Sequence, residues 1–328
     1  MLGQVLSVYW KLPRLHRSGR FDTRFRNCYS NLPTMVLPNF LVIGAARAGT
    51  TALAAFLGRH PEVFIPVKEP NYFSGWLSRK PFDGPQGKNV RPEFRCGTIE
   101  QYSRLFEGSR GFKARGEASV SYLPDVDAPA LIQQTIPDVR LFAILRQPAE
   151  RAFAHFHLQR FNRLEPVADF LEALEQERRG LRRNWMPSLR YVESGRYSVQ
   201  LRRYRALFPT EQLKVFLTDD WRRRPHWVWR QILEILGVDE GFMPDFSERH
   251  AVTRVESRAW WVLLHTRPTW PVVPKRLRRV LGAALRSWWL KDASLSPELR
   301  EELTKSYFRD DILQLQGLLG CDLHDWLS

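Results

Sequence analysis

Residues 44–51, Gly-Ala-Ala-Arg-Ala-Gly-Thr-Thr, set small side chains around a single cation directly after the apolar run Asn39-Phe-Leu-Val-Ile-Gly44. Small residues let consecutive backbone N–H groups wrap an oxyanion, and a helix opening at Thr50 would add its positive end. The spacing is that of a phosphate loop, G-x-x-x-x-G-K-[ST], with one difference: Thr50 holds the lysine position and the cation, Arg47, comes earlier. A loop without that lysine is poorly suited to ATP hydrolysis with Mg²⁺. It suits an anion with a single transferable group, where Arg47 can neutralise charge developing on a leaving phosphate. Taken alone, the segment would also read as a ligand-free turn between strand and helix.

Other residues could take part in chemistry. Lys68-Glu69 pairs a cation with a carboxylate, and in isolation it reads as an exposed turn before Pro70. Glu117 is a second candidate carboxylate, with a structural role expected at a sheet edge or beside an arginine. His155 and His157 stand two apart on an expected helix, so they do not face one way and a shared metal is not expected; both read as surface or packing residues. Asp219 and Asp220 follow a strand and fit a helix cap.

The elements that must position these groups follow from hydrophobic period and punctuation. Apolar runs at 39–44, 139–145 and 213–218 read as buried parallel strands, and 112–117 as a shorter one. Helices are expected at 50–59, 99–107, 127–135, 148–161, 166–178, 198–208, 225–236 and 297–319, with Pro148 opening one and Gly237 closing another. Residues 75–97, rich in Gly, Pro and charge, read as a long loop over an active-site face. The alternation of strand and helix implies a doubly wound parallel sheet with right-handed crossovers. The expected organisation is a basic N-terminal arm at 1–36, an α/β core at 37–246, and a helical, basic C-terminal part at 247–328 packed on it.

Composition agrees with a globular chain. The 328 residues are 44% hydrophobic, 12% aromatic and 26% charged, enough for a sizeable core. The net charge of +15 favours anionic partners, and seven Lys or Arg fall within 267–291 without an acid. Three widely spaced cysteines, Cys28, Cys96 and Cys321, argue against a disulfide framework or a structural zinc site. No apolar run reaches the ~20 residues of a membrane span, and no signal peptide is read. Trp270 to Trp289 mixes aromatic, apolar and basic residues in the style of an interfacial helix, and a packed helical tail with a solvated basic face is the competing reading.

Four blocks together resemble a known family. Phe40-Leu-Val-Ile-Gly-Ala-Ala-Arg-Ala-Gly-Thr-Thr-Ala-Leu53 resembles the 5′-phosphosulfate loop of sulfotransferases that use 3′-phosphoadenosine 5′-phosphosulfate (PAPS). His60-Pro-Glu-Val63 with Lys68-Glu-Pro-Asn-Tyr-Phe73, Gly116-Glu-Ala-Ser-Val-Ser-Tyr122, and Leu145-Arg-Gln-Pro-Ala-Glu-Arg-Ala152 follow in the family's order. Gly195-Arg-Tyr197, Phe208-Pro209 and the ending Leu319 to Trp326 fit the same group, which is closest to the heparan-sulfate-type branch and its bacterial relatives. The resemblance covers residues 38–246 best. It implies a P-loop-like α/β fold, PAPS as donor and no metal.

Residue by residue, it implies that Arg47, Ala48, Gly49, Thr50 and Thr51 bind the 5′-phosphosulfate and that Arg146 binds the 3′-phosphate. Arginine at 47 stands where many members have lysine, which keeps the charge and changes its geometry. Ala154 stands where the family usually has a serine on the 3′-phosphate, so another residue must compensate; Arg254, Ser257 and Arg258 are the candidates in the tail. Glu69 aligns with the family's proposed general base, and Lys68 beside it could hold the acceptor or the sulfonate. Asn71 stands where some relatives have histidine. The expected reaction is in-line sulfuryl transfer to a hydroxyl, an alcohol needing a base to take its proton. The acceptor could be a glycan, a glycolipid, another lipid-linked or anionic partner, or a small alcohol. Nucleic acid is not expected, for want of a dedicated motif. A cytoplasmic location is expected, with peripheral membrane contact open. Two alternatives stand beside this reading. One is a nucleotide kinase, which Thr50 opposes. The other is a non-enzymatic protein binding polyanions or membranes.

Overall fold

The structure is a computed structural model and describes residues 35–75, 82–84, 89–90, 96–246, 253–255, 290–292 and 295–328. At 89–90, 253–255 and 290–292 only the backbone path is described. Apolar runs without alternation form its centre. β1 (Phe40–Gly44) and β6 (Arg140–Leu145) are buried almost throughout, because a central parallel strand is covered on both faces.

In chain order β1 leads through α1 (Thr50–Leu57) to β2 (Val63–Phe64), then a small hairpin of β3 (Phe82–Asp83) and β4 (Asn89–Val90). Next come α2 (Ile99–Arg104), β5 (Ala114–Ala118) and α3 (Ala128–Thr135). β6 leads through α4 (Pro148–Phe161), α5 (Phe170–Arg178) and α6 (Tyr197–Arg205) to β7 (Leu213–Leu217). α7 (Thr218–Arg223) and α8 (Pro225–Leu236) follow. β8 (Thr253–Val255) pairs antiparallel with β9 (Leu290–Asp292), and the chain closes with α9 (Pro297–Leu303) and α10 (Arg309–Leu319). A π-helical stretch, Thr304–Phe308, joins the last two helices.

The main sheet has the order β2-β5-β1-β6-β7 and every pairing in it is parallel. The chain first moves outward from β1 to β2, returns to β5, and then crosses to β6 and β7 on the other side. Right-handed crossovers therefore put α1 on the face opposite α3 and α4. The expected doubly wound sheet is found, and its switch point is the C-terminal end of β1, where such sheets bind ligands.

Local chemistry explains several boundaries. Thr98, Asp169 and Ser296 cap α2, α5 and α9 by accepting the N–H of the third residue on. Gly237 and Gly320 end α8 and α10 in the left-handed conformation. At Gly44 a side chain would meet Leu123, whose Cβ would lie 2.8 Å from the added carbon, so the strand can pass only as glycine.

Glu117 corrects an expectation. β5 lies between β2 and β1, with Glu117 in register with Leu41 of β1, so it does not hold a sheet edge. Nor do Asp219 and Asp220 cap α7: the N-cap position is Leu217 and no side chain caps there. Asp219 instead accepts from Trp326 Nε1 at 3.0 Å, and Asp220 pairs with Arg224 at 2.8 Å. Most of the basic segment 267–291 and Trp270 to Trp289 lie outside the described residues. Among the described residues no helix is long and apolar enough to cross a membrane.

Candidate active site

The loop after β1 is tied on both sides. Ala45 N–H donates to Ile144 O at 2.7 Å, and Thr218 Oγ1 lies 2.9 Å from Ala48 O and 3.0 Å from Leu145 O. One hydroxyl at the end of β7 thus holds the loop to the end of β6. α1 then begins at Thr50 behind Gly49, which is left-handed (φ 106°) and offers no side-chain cap. The first-turn N–H groups of α1 are therefore not met by a capping side chain, the arrangement that receives an anion.

Arg47 sits in this loop at φ 69°, a conformation costing an ordinary side chain about 1–2 kcal/mol. Its Nε is buried without a hydrogen-bond partner among the described residues. Burial, and then the charge of Arg146, lower the pKa of its guanidinium from the ordinary value. A second cation near an unpartnered buried donor is an arrangement suited to an anion. Thr50 is buried and Thr51 exposed; Ala48 is buried under the loop.

Arg146 follows β6 directly. Its carbonyl accepts from Tyr197 Oη at 3.0 Å, and its Nε and Nη2 both donate to Glu150 Oε2, at 3.0 and 2.8 Å. Glu150 Oε1 also lies 3.9 Å from Arg300 Nε of α9. Gln147 caps α4 by accepting from Glu150 N–H, and its Nε2 donates to Thr304 and to Trp326 O, which clamps the C-terminal helices onto this corner. Farther along α4, Ala154 and His155 are buried. Burial, then Arg151 and Arg47, push the His155 imidazole well below its ordinary pKa, and Gln159 lies 2.7 Å away. His155 is a packing residue, not a surface one.

The segment 68–74 lies along the end of β5 and is anchored at alternate residues. Glu69 N–H donates to Ala118 O at 2.9 Å, Asn71 N–H to Ser119 Oγ at 3.1 Å, and Phe73 N–H to Tyr122 Oη at 3.3 Å. Glu69 and Asn71 both take left-handed backbone angles, φ 59° and 57°. With Arg47 they make three of the four non-glycine residues in that region among the described residues, and such strain gathers at functional sites. Lys68 Nζ lies 2.5 Å from Glu69 Oε1, both side chains partly exposed. The pair is no free surface turn: its backbone is pinned to the sheet.

Glu117 is fully buried behind this segment, and among the described residues no arginine is paired with it. Its Oε1 accepts from Tyr122 at 2.7 Å and Tyr102 at 3.2 Å, and its Oε2 from Ser119 at 2.8 Å. Burial raises its pKa to about 7, against the three hydrogen bonds that lower it; the charge of Glu69 raises it further.

The structure thus gathers Arg47, Ala48, Gly49, Thr50, Thr51, Lys68, Glu69 and Arg146 at the C-terminal ends of parallel strands. Arg258 and Ser257 lie outside the described residues. Arg254 is in β8, described as backbone, and β8 runs beside α4. Sequence reasoning did not find Thr218, Glu150, Tyr197 or Ser119 as site residues. Glu150 had a signal in its i+4 spacing from Arg146; Thr218 had none, since its role depends on the register of three strands.

The fold and chain align with a crystal structure of a sulfotransferase from Alicyclobacillus acidocaldarius at 30% identity and a TM-score of 0.67, covering 89% of this chain and all of that one. The chain belongs to the sulfotransferase family. Among curated proteins, this sulfotransferase chain is 28% identical over 318 residues to the bifunctional heparan sulfate N-deacetylase/N-sulfotransferase 4 of Mus musculus. It also matches the membrane-associated sulfotransferase kil1 of Dictyostelium discoideum, 29% identical over 124 residues, 38% of this chain and 23% of that one. The first of these alignments covers 93% of this chain and 33% of the relative, so the chain spans about a third of the length of the heparan sulfate relatives. No family model matches it.

Proposed function

We propose that this sulfotransferase moves a sulfuryl group from PAPS to a hydroxyl of an anionic or lipid-linked acceptor, with Glu69 as general base. The observation that carries the reading is the pairing of an uncapped helix start and a half-buried Arg47, its Nε buried and unpartnered among the described residues, with a second cation, Arg146, one strand away. The residues fit a nucleotide that carries anions at both its 5′ and 3′ positions. Backbone N–H groups at 48–51 and Arg47 would hold the 5′ end. Arg146 would hold the 3′-phosphate in place of part of its contact with Glu150, and Arg300 behind Glu150 is placed to share that charge.

When bound, the donor supplies a sulfuryl group whose bond to phosphate oxygen breaks as a bond from sulfur to the acceptor oxygen forms. Glu69 takes the acceptor proton, and Arg47 meets the charge left on the phosphate. Lys68 neutralises Glu69 before the acceptor arrives and can then turn to the transferred sulfonate. An amine acceptor is the second reading, favoured by the N-sulfotransferase names of the curated relatives; Glu69 would then take the proton that a neutral amine sheds as its nitrogen bonds to sulfur. Among the described residues no cluster of three or more metal-ligating side chains occurs.

Calorimetry with 3′-phosphoadenosine 5′-phosphate (PAP) tests the donor. Binding to the wild type, weakened at least tenfold by Arg47→Ala and by Arg146→Ala, with ATP far weaker, is the expected result. Absence of PAP binding would end the reading. Turnover of PAPS against glycans with free hydroxyls only, and against glycans with free amines, then separates the two acceptor chemistries.

A further inference from the structure

The carboxylate of Glu117 touches neither Arg47 nor Lys68, and the reaction as derived does not use it. It is nevertheless a glutamate at 0% exposure in an interior strand of the sheet, behind the segment that carries the candidate base. Burying a carboxylate is costly unless it is fully hydrogen-bonded, and here three hydroxyls converge on it. Two of those hydroxyls have a second duty. Ser119 Oγ accepts Asn71 N–H, and Tyr122 Oη accepts Phe73 N–H. A hydroxyl that donates its proton to Glu117 turns its lone pairs outward, toward the loop. One carboxylate therefore sets the direction of both hydroxyls that hold the backbone on the C-terminal side of Glu69.

We propose that Glu117 is a positioning residue for sulfuryl transfer: through Ser119 and Tyr122 it fixes the 68–74 loop and so the place of Glu69. This rests on the reading of Glu69 as base. In the ionised form Glu117 accepts all three hydroxyls. Protonation removes the charge that strengthens these hydrogen bonds and adds an O–H on Glu117 itself, so the hold on the three hydroxyls, and with it a loop anchor, weakens. The groups facing Glu117 are Tyr102 from α2, with Cys96 beyond it, Ser119 and Tyr122 from the segment after β5, and Glu69 from the loop. Burial and the charge of Glu117 raise both tyrosine pKa values well above the ordinary one, so both remain donors. Loop order should accordingly rise with pH around neutrality.

Two readouts test this on the full chain. The first is amide hydrogen exchange of residues 68–74 between pH 6 and 8.5, corrected for intrinsic exchange. The second is PAP formation from PAPS with N-desulfated heparin as acceptor. In the wild type, protection of 68–74 should increase on raising the pH through about 7. Glu117→Gln should abolish that pH step and lower kcat roughly 10- to 100-fold, the scale of a misplaced catalytic group, with the Kd for PAP changed less than threefold. Ser119→Ala and Tyr122→Phe, which keep the carboxylate, should each loosen the same segment, and they carry the test if Glu117→Gln does not fold. Unchanged protection of 68–74 in Glu117→Gln, or in both hydroxyl variants, overturns the proposal. Glu69→Gln keeps the two ideas apart. If it retains full activity, the base assignment fails; if it is inactive while Glu117→Gln keeps wild-type kcat and pH profile, only the positioning role fails.

Discussion

Replacing Glu117 by glutamine should change how the stability of the fold depends on pH, in a direction and size set by its burial. The carboxyl has an ordinary pKa of 4.5 and one of about 7 in the folded chain, with burial the main cause. A group whose pKa is raised by folding favours the protonated state in the native protein. Its contribution is therefore complete below pH 4.5 and is lost as the pH climbs through 7. Each pKa unit corresponds to ~1.4 kcal/mol, so the wild type should lose about 3 kcal/mol relative to the glutamine variant between pH 4.5 and 8. For a compact unit spanning Val36–Ser328, a loss of that size lowers the melting temperature by roughly 5 °C. Glutamine also disturbs the hydroxyl contacts, but that cost is the same at every pH and drops out of the slope. Thermal unfolding of both proteins at half-unit steps measures the difference directly. If the two melting temperatures stay a constant distance apart from pH 4.5 to 8, Glu117 does not titrate differently on folding and the electrostatic argument is wrong.

Three further outcomes are expected. Glu150→Gln should free the Arg146 fork from a competing carboxylate and tighten PAP binding about three- to fivefold in calorimetry, an ion pair of this exposure being worth up to ~1 kcal/mol; weaker binding would mean that Glu150 is needed to aim Arg146. Thr218→Val should leave Ala48 O and Leu145 O without their shared donor, lowering stability by about 1–3 kcal/mol in denaturant unfolding and weakening PAP binding as the loop loosens. Arg182→Met should remove the fully buried partner of Glu165 and cost about 3–5 kcal/mol of stability, while PAP affinity of the folded protein stays within twofold, since the hydrogen bonds of that pair run to Gln176, Leu189 and Tyr191 and not to the loop after β1.

The donor side of the site could be read in the sequence because it is built from backbone. A glycine- and alanine-rich turn between a continuous apolar strand and a helix has few competing structures, and β1, α4 and α8 lie within a residue of their expected limits. Strand β5 shows where this fails. Ala-Arg-Gly-Glu-Ala reads as an edge, yet it is interior: Gly116 makes room for Phe40, and Glu117 is buried only because Tyr102, Tyr122 and Ser119 meet it. A polar residue satisfied by partners distant in sequence carries no periodic signal. The same holds for Arg182, which stands in a basic stretch of the sequence and lies buried on Glu165 and against Trp185 at 4.6 Å. β2, two residues long, and the π-helical turn at 304–308 have no sequence mark that separates them from a loop or an ordinary helix.

The two halves of the site hang from different strands, and this has a kinetic consequence. Arg47, Thr218 and Arg146 are fixed by the ends of β1, β7 and β6, whereas Lys68 and Glu69 are fixed by the end of β5 through Ala118, Ser119 and Tyr122. The two halves meet in backbone, where Ser119 and Leu123 N–H donate to Val42 O and Ile43 O of β1, but Thr218 and Ser119 share no hydrogen-bond partner among the described residues. Damage to the β5 side should therefore appear in kcat at nearly constant donor affinity, and damage to the β6–β7 side in donor affinity. Variants from opposite halves, such as Thr218→Val with Ser119→Ala, should have additive effects on ln(kcat/KM), as expected for sites without shared partners. A coupling of more than about 1 kcal/mol would mean that the loop after β1 and the Glu69 segment move as one body, and that donor binding itself sets the position of the base.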